Sequence, residues 1–228
     1  MPRSLKDMAR WRAVAFISAL TSEWFGSIFL LAQFLQIVQG YSPLAAGVRT
    51  LPWTAMPMLV APLGGILTQR LGGRPVLATG LALQAIGLAW MAAVTSPSVP
   101  YWQLVPAFVI SGIGMALFFA PMASTVLGTV TDAEEGIASG VNNAIRELGG
   151  VLGIAVLSSV FSAHGSYASG HSFVSGLVPA IYVGVGVVAV SVVAALAIPR
   201  SRQAGRGGEA QTIEADGKAG VRTLQAIS

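Results

Sequence analysis

The chain has 228 residues, of which 54% are hydrophobic and 10% are charged, and its mean hydropathy is +0.72. A soluble domain carries roughly a quarter charged residues, so this chain cannot cover its whole surface with polar groups. The net charge of +4 does not indicate a nucleic-acid partner, because the basic residues lie in short segments between long apolar runs. This arrangement is typical of an integral membrane protein.

Six apolar runs follow one another along the chain. Each is near or above the roughly 20 residues that cross a bilayer as a helix. The connectors are rich in Gly, Pro, Ser and charged residues, which favour turns. The first run is too long for the apolar core of a signal peptide. We therefore predict transmembrane helices at residues 13–38, 45–68, 75–95, 104–130, 145–163 and 173–198.

The fifth helix is expected to begin before its apolar run. Thr131 with Glu134, or Asp132 with Glu135, has the spacing of a capping box. The composition changes after Ile198 to a polar segment with no sustained apolar period, which predicts a disordered tail. The predicted fold class is an all-α integral membrane protein with three parts: an N-terminal segment, a six-helix bundle and a tail, at residues 1–12, 13–199 and 200–228.

Lys and Arg near the ends of the runs predict the orientation in the membrane. With six spans, the side opposite to the termini carries only Arg49. Because positive residues remain inside, both termini are predicted to be cytoplasmic in a multi-pass protein of the plasma membrane. The bases on the cytoplasmic side are Arg3, Lys6, Arg10, Arg12, Arg70, Arg74, Arg146, Arg200, Arg202 and Arg206.

Few polar side chains lie within the predicted spans. Glu23 differs from the others because an acid near mid-membrane is costly and commonly faces a cavity, a partner or a proton path. The alternative for Glu23 is a neutral acid that serves as a structural hydrogen-bonding group. The amides, Gln36 included, are either interhelical hydrogen-bonding groups or substrate ligands. The candidates for binding substrate or protons are Glu23, Gln33, Gln84, Asn142 and Asn143.

Small residues and prolines indicate how the helices pack. Gly149 and Gly153 have the Gly-x-x-x-Gly spacing that lets two helix backbones approach closely. Pro52, Pro57 and Pro62 fall on one predicted helix, and interior prolines bend helices and leave carbonyls free. Such bends suit a rocking transporter and a static bundle equally well.

Enzymatic and metal-binding motifs are missing from the sequence. The chain has no cysteine, and its two histidines, His164 and His171, lie in a connector rich in Gly and Ser. Neither Gly-x-Ser-x-Gly, His-Glu-x-x-His nor Gly-x-x-x-x-Gly-Lys occurs. We therefore expect a protein that is not an enzyme, with no catalytic residue, metal or cofactor.

The second connector carries a recognisable motif. Residues 64–75 resemble the cytoplasmic loop Gly-x-Leu-x-Asp-Arg-x-Gly-Arg-Arg of major facilitator proteins. Gln69 stands where that family has Asp, which is typical of the degenerate copy of the loop in the second half of the transporter. The residues that match the pattern are Gly65, Arg70, Gly72 and Arg74.

Three further segments extend this resemblance in family order. Residues 36–47, 112–121 and 139–155 resemble parts of EmrB/QacA-type efflux proteins, which are fourteen-helix drug:proton antiporters. The resemblance implies that the chain is the C-terminal half of such a transporter, one six-helix major facilitator bundle that acts by alternating access. It would export multiple drugs or other small molecules and would be incomplete alone.

The implied partners are the lipid bilayer, a small amphipathic substrate, protons, and either an N-terminal transporter bundle or a second copy of the chain. No nucleic acid is expected. The alternative function is a non-transporting membrane subunit or remnant that acts only through a partner bundle. A companion chain would separate these two functions, because alternating access needs two bundles that move around a central site.

Overall fold

The computed structural model describes residues 24–127 and 135–197, and every regular element in this part is a helix. Helix α1 runs over Trp24–Gln33 and continues as a π-helical turn over Phe34–Val38. The other helices are α2 (Pro43–Thr54), α3 (Met56–Leu71), α4 (Gly73–Val94), α5 (Tyr101–Leu127), α6 (Glu135–His164) and α7 (Gly170–Ala197). Glu23 and the predicted segments 1–12 and 200–228 lie outside the described residues.

Five helical stretches in the described part are long and apolar enough to cross a membrane, and α1 is a shorter apolar helix. The predicted all-α membrane fold is therefore confirmed. Most described helix ends lie within a few residues of the predicted spans, whereas the predicted start of the first span at residue 13 lies outside the described residues. Helix α6 begins at Glu135, well before Ile145. This early start was expected, although the first three capping-box residues lie outside the described part. The five stretches are Pro43–Leu71, Gly73–Val94, Tyr101–Phe119, Ser139–His164 and Gly170–Ala197.

Helix α4 packs along α5 on one side and along α7 on the other. Small residues let α4 and α5 approach closely: a Cβ at Gly80 would lie only 2.8 Å from the carbonyl oxygen of Gly114. Helices α2 and α3 pack on α5, while α6 packs on α7 and α1. The fold is therefore a helix bundle in which α4 contacts both α5 and α7, and α5 also contacts α6.

The aromatic part of the core lies where α1, α6 and α7 meet. Phe34, Phe161 and Phe173 are all fully buried. The ring centre of Phe173 lies 4.8 Å from that of Phe161 and 6.4 Å from that of Phe34. Aromatic side chains at such separations pack favourably. This cluster fixes α1 against the α6–α7 pair.

The predicted second span is broken at Ala55, between α2 and α3. Pro57 has no N–H, so it cannot donate the helical hydrogen bond to the carbonyl of Trp53. That carbonyl lies against α5, where a Cβ at Gly112 would be 2.6 Å from the Trp53 oxygen. The break thus combines the proline bend expected from the sequence with a glycine that makes room for it.

The connector predicted at residues 69–74 is a tight turn, and most of its residues belong to the two flanking helices. Helix α3 continues to Leu71, α4 begins at Gly73, and Gly72 alone makes the turn. The φ angle of Gly72 is 89°, a conformation that residues with a side chain rarely adopt. One glycine with positive φ therefore makes the sharp turn that the composition of this connector indicated.

Candidate functional site

A polar group lies on α6, where Asn143 and Glu147 are exposed and Arg146 is half-buried. The guanidinium Nη2 of Arg146 donates a hydrogen bond of 2.8 Å to Oδ1 of Asn143 and lies 3.6 Å from Oε1 of Glu147. The guanidinium carbon is also 5.8 Å from the ring centre of Phe119 on α5. Asn142, on the same turn, is half-buried and has an interaction partner. The structure thus joins one of the predicted amides, Asn143, to a cation, and Asn142 lies on the neighbouring position of the same helix.

The position of Arg146 on α6 explains why its side chain is shielded. Gly149 and Gly150 follow at i+3 and i+4, and both are buried. On the opposite face, Leu148, Val151 and Leu152 are each 65% exposed. The side chain of Arg146 is 33% exposed, and its Nε is buried without a hydrogen-bond partner among the described residues. The α6 group therefore contains an incompletely satisfied cation.

The start of α1 adds two aromatic rings near this group. Trp24 and Phe25 stack with their ring centres 4.1 Å apart. A Cβ at Gly150 would lie 2.7 Å from Cδ2 of Phe25, so the ring packs directly on α6, one turn beyond Arg146. Glu23, which precedes these residues, lies outside the described part.

The other two predicted amides lie on different helices. Gln33 is half-buried and is the last residue of α1 before the π-helical turn. Gln84 is 2% exposed and lies on the face of α4 that packs on α5, where its backbone N would be 2.6 Å from a Cβ at Gly114. The described contacts join neither side chain to the α6 group. In this conformation, Gln84 lies in a helix interface and not on an open surface.

The residues of the motif in the second connector have separate positions. Gly65 lies within α3, where a Cβ would meet no neighbour within 4 Å, and Arg70 is exposed in the last turn of α3. Gly72 makes the turn, and Nη2 of Arg74 donates to the carbonyl of Leu196 at the end of α7. A guanidinium there satisfies a terminal carbonyl and complements the helix dipole.

The glycines of the Gly-x-x-x-Gly segment lie between α6 and α1. Gly149 is buried. A Cβ at Gly26 of α1 would lie 3.0 Å from the carbonyl oxygen of Gly153. The two backbones are therefore in close contact at Gly153, which is the geometry that small residues permit.

Sequence reasoning missed a cluster at the end of the bundle opposite to Arg74. Arg49 of α2 lies between the rings of Tyr41 and Tyr101, and the Tyr101 hydroxyl donates to the carbonyl of Arg49 at 2.9 Å. Nearby, Nε2 of Gln39 donates to the carbonyls of Pro97 and Val99 at 3.2 and 3.3 Å. Aromatic residues at span ends were a usable signal, but nothing in the sequence paired them with Arg49.

The apolar helices with a few polar groups among them define a multi-pass α-helical membrane protein. The family model of the Major Facilitator Superfamily matches residues 8–223. The chain therefore belongs to the Major Facilitator Superfamily, whose fold was expected from the motif in the second connector.

Several curated relatives have names that describe resistance or efflux. The chain is 32% identical over 158 residues to "Multidrug resistance protein Stp" of Mycobacterium tuberculosis, covering 69% of this chain and 29% of the relative. It is 28% identical over 179 residues to "Multidrug efflux pump LfrA" of Mycolicibacterium smegmatis, covering 76% and 35%. It is 34% identical over 139 residues to "Probable actinorhodin transporter" of Streptomyces coelicolor, covering 60% and 24%. The chain thus spans about a third or less of the length of these relatives.

Proposed function

We propose that this chain is the C-terminal bundle of a proton-coupled efflux transporter for drugs or other small amphipathic molecules. Membership of the Major Facilitator Superfamily and the efflux names of the relatives support transport. The resemblance of three segments to EmrB/QacA-type proteins supports the fourteen-helix drug:proton antiporter branch. Alternating access requires two bundles around a central site, so the chain acts with an N-terminal bundle or with a second copy.

Uneven burial of the helices supports the need for a partner bundle. The apolar 18-residue segment of each helical stretch is buried to a different extent. The buried share of this segment is 56% in α4 and 50% in α5, but only 17% in Pro43–Leu71 and 22% in α6. Leu44 and Met58 on the second stretch are 80% and 82% exposed. Lipid covers part of such a surface. A partner bundle on α2, α3 and α6 covers the rest and encloses the cavity between the two bundles.

The distribution of arginines supports the proposed orientation. The bond from Arg74 to Leu196 brings the α3–α4 turn and the end of α7 to one end of the bundle, and Arg70 is exposed close to that turn. Arg49 lies at the opposite end, between Tyr41 and Tyr101. Positive residues remain on the cytoplasmic side of a membrane. The Arg74 end and both termini therefore face the cytoplasm, and the protein lies in the plasma membrane.

Within this transporter, Glu23 is proposed to bind protons, and the amides Gln33, Gln84, Asn142 and Asn143 are proposed to contact substrate. Acids and amides inside a membrane bundle commonly face cavities and ion paths. The α6 group supports this assignment for Asn143, which accepts a hydrogen bond from the half-buried Arg146.

Co-expression of the chain with a matching N-terminal bundle tests the proposal. Cells that lack their own efflux pumps are loaded with ethidium, and its loss is followed by fluorescence. Efflux is expected when both bundles are present, and it should stop when an uncoupler removes the proton gradient. Each bundle expressed alone is the matched control and should give no efflux. Two bundles that assemble but never export ethidium or other drugs would instead identify a non-transporting membrane subunit.

A further inference from the structure

Helices α2 and α3 meet at a break where three consecutive helical hydrogen bonds are missing. The N–H of Ala55 still donates to the carbonyl of Leu51 at 2.8 Å, and the carbonyl of Ala55 accepts from Leu59 at 3.3 Å. Between these two bonds, in a fully described part of the chain, the carbonyls of residues 52–54 accept none from the residue four positions on. Pro57 explains one of these losses, because it has no N–H. The break is therefore the point at which the backbone of this span can bend most easily.

Helix α2, on one side of the break, is held firmly in the bundle by large side chains. Trp53 is 1% exposed, and its ring lies nearly parallel to that of Phe108 on α5, with the ring centres 6.1 Å apart. One turn earlier, Arg49 lies between the rings of Tyr41 and Tyr101. Buried aromatic side chains contribute much of the packing energy of a core, so α2 is fixed to α5.

Helix α3, on the other side of the break, is held mainly through small residues. It packs chiefly on α5, and its buried residues are Gly64 and Thr68. The Thr68 hydroxyl donates to the carbonyl of Gly64 at 2.7 Å, so this bond lies within α3 and does not join it to a neighbour. Met58 and Leu59 are 82% and 66% exposed. Because small side chains bury little apolar area, α3 is held less tightly than α2.

Glycines lie at both ends of α3. At the break, a Cβ on Gly112 of α5 would lie 2.6 Å from the carbonyl oxygen of Trp53 and 2.7 Å from Cβ of Met56. The two sides of the break therefore contact α5 at one residue, which carries no side chain. At the other end, Gly72 has a φ angle of 89°, and a Cβ there would meet no neighbour within 4 Å. Helix α3 is thus a continuous helix of 16 residues, about 24 Å long, between two points where the backbone can bend.

We propose that α3 turns about the break at Ala55 while the rest of the bundle keeps its shape, so that the Arg74 end of this span moves independently. The partner bundle proposed above covers α3 and moves during alternating access. Since α3 is held loosely, it follows the partner, whereas α2 stays on α5. A change of about 20° in the bend moves Gln69, near the end of α3, by about 7 Å. This inference rests on the proposed efflux function and adds a moving part within one bundle.

Distances between spin labels, measured by pulsed electron paramagnetic resonance, test the motion directly. The protein is the full chain assembled with the N-terminal bundle in detergent, with and without ethidium. Labels on Gln69→Cys in α3 and Val193→Cys in α7 are expected to give two distances about 7 Å apart, in proportions that ethidium changes. Labels on Thr79→Cys in α4 and Val193→Cys are the matched control and should give one distance under both conditions. The three labelled positions are exposed, so the labels leave the packing intact.

Two proline variants separate a hinge from a static bend. Pro57→Ala supplies an N–H that can donate to the carbonyl of Trp53, which favours a continuous helix. A single distance between the labels in α3 and α7 is then expected, with ethidium efflux about tenfold slower, since one restored hydrogen bond shifts an equilibrium by about that factor. The melting temperature should be no lower than that of wild type. Pro62→Ala is the matched control, because Pro62 lies within α3 and away from the break, and it should keep both distances.

The outcomes distinguish this inference from the proposed function. A single distance between Gln69 and Val193 that ethidium does not change would show that the bundle moves as a rigid body, and it would overturn the proposal. Two distances together with wild-type efflux in Pro57→Ala would do the same. If Pro57→Ala does not fold, the distances in the protein with both prolines decide alone. Efflux with one fixed distance contradicts this inference only, whereas two distances that ethidium shifts, without efflux of any drug, contradict the proposed efflux function.

Discussion

The guanidinium carbon of Arg49 lies 3.8 Å from the ring centre of Tyr41 and 5.6 Å from that of Tyr101. Nη1 of Arg49 donates to the carbonyl of Ala45 at 3.3 Å, and the Tyr101 hydroxyl donates to the carbonyl of Arg49. One side chain therefore joins three segments: the turn after α1, helix α2 and the start of α5. With the bonds from Gln39 to the α4–α5 connector, it fixes this end of the bundle.

Arg49→Ala should destabilise the protein by about 1–2 kcal/mol, because a shielded cation–π contact contributes roughly that much. Arg49→Lys should recover part of the loss, since it keeps the charge but not the planar group that stacks on tyrosine. The measurement is the apparent melting temperature of the purified protein in detergent. His171→Ala, at an exposed position in the first turn of α7, is the control. Equal melting temperatures for Arg49→Ala and wild type would contradict a stabilising role.

Gly112→Ala should destabilise the contact between α5 and the broken helix α2–α3. The added Cβ would lie 2.6 Å from the carbonyl oxygen of Trp53 and 2.7 Å from Cβ of Met56, so backbone has to move. Overpacking of this kind costs about 1–3 kcal/mol. Gly186→Ala in α7 is the matched control, because its Cβ would meet no neighbour within 4 Å. The melting temperature of Gly112→Ala should be lower than that of Gly186→Ala. A Gly112→Ala protein with the wild-type melting temperature would show that α5 and α2 are further apart than in the structure.

Single cysteines test the orientation, since the natural chain contains none. An impermeant thiol reagent added to intact cells should label cysteines in the first, third and fifth connectors and should not label those on the other side before the cells are opened. This follows from the predominance of arginine at the Arg74 end. Outside labelling at residue 69 in intact cells would reverse the orientation. The expected labelled sites are Ser42, Ser98 and Ser169, and the expected protected sites are Gln69, Asp132 and Gln203.

Hydrophobicity and turn residues sufficed to predict the helices, because an apolar run of membrane length has few other stable forms. Local deviations were harder to predict. The π-helical turn at Phe34–Val38, where the Gln39 N–H donates to the Phe34 carbonyl, lies in a segment with Gln33, Gln36 and Gln39 at every third position, a pattern that fits an ordinary α-helix equally well. The glycines of the second connector predicted a turn, but composition does not determine which residue adopts the positive φ, which is Gly72.

Only part of the candidate site could be predicted from the sequence. Rarity alone identified Asn142 and Asn143, since amides are uncommon in apolar helices. The role of Arg146 depends on which face of α6 packs inward and on Phe119, a residue from another helix. The sequence analysis assigned Arg146 only to the cytoplasmic side, because charges along the chain do not report contacts between helices.

The last prediction concerns Glu23, the acid proposed to bind protons. Glu23→Gln keeps the hydrogen-bonding capacity and the size of the side chain but cannot take up or release a proton. In the assembled transporter, Glu23→Gln should therefore abolish the dependence of ethidium efflux on external pH and on the proton gradient. Glu23→Ala should do the same and should also lower stability, because alanine removes the hydrogen-bonding capacity of the acid as well as its proton.

Vesicle assays at a series of imposed pH gradients measure this effect, and exchange of pre-bound ethidium with no gradient serves as the control. Exchange needs the conformational change but no net proton movement, so it should survive in Glu23→Gln. Because Phe25 packs on Gly150 close by, the melting temperature of each variant shows whether this contact between α1 and α6 is intact. A Glu23→Gln protein that couples efflux to the proton gradient as wild type does would identify Glu23 as a structural hydrogen-bonding residue and move the proton site elsewhere.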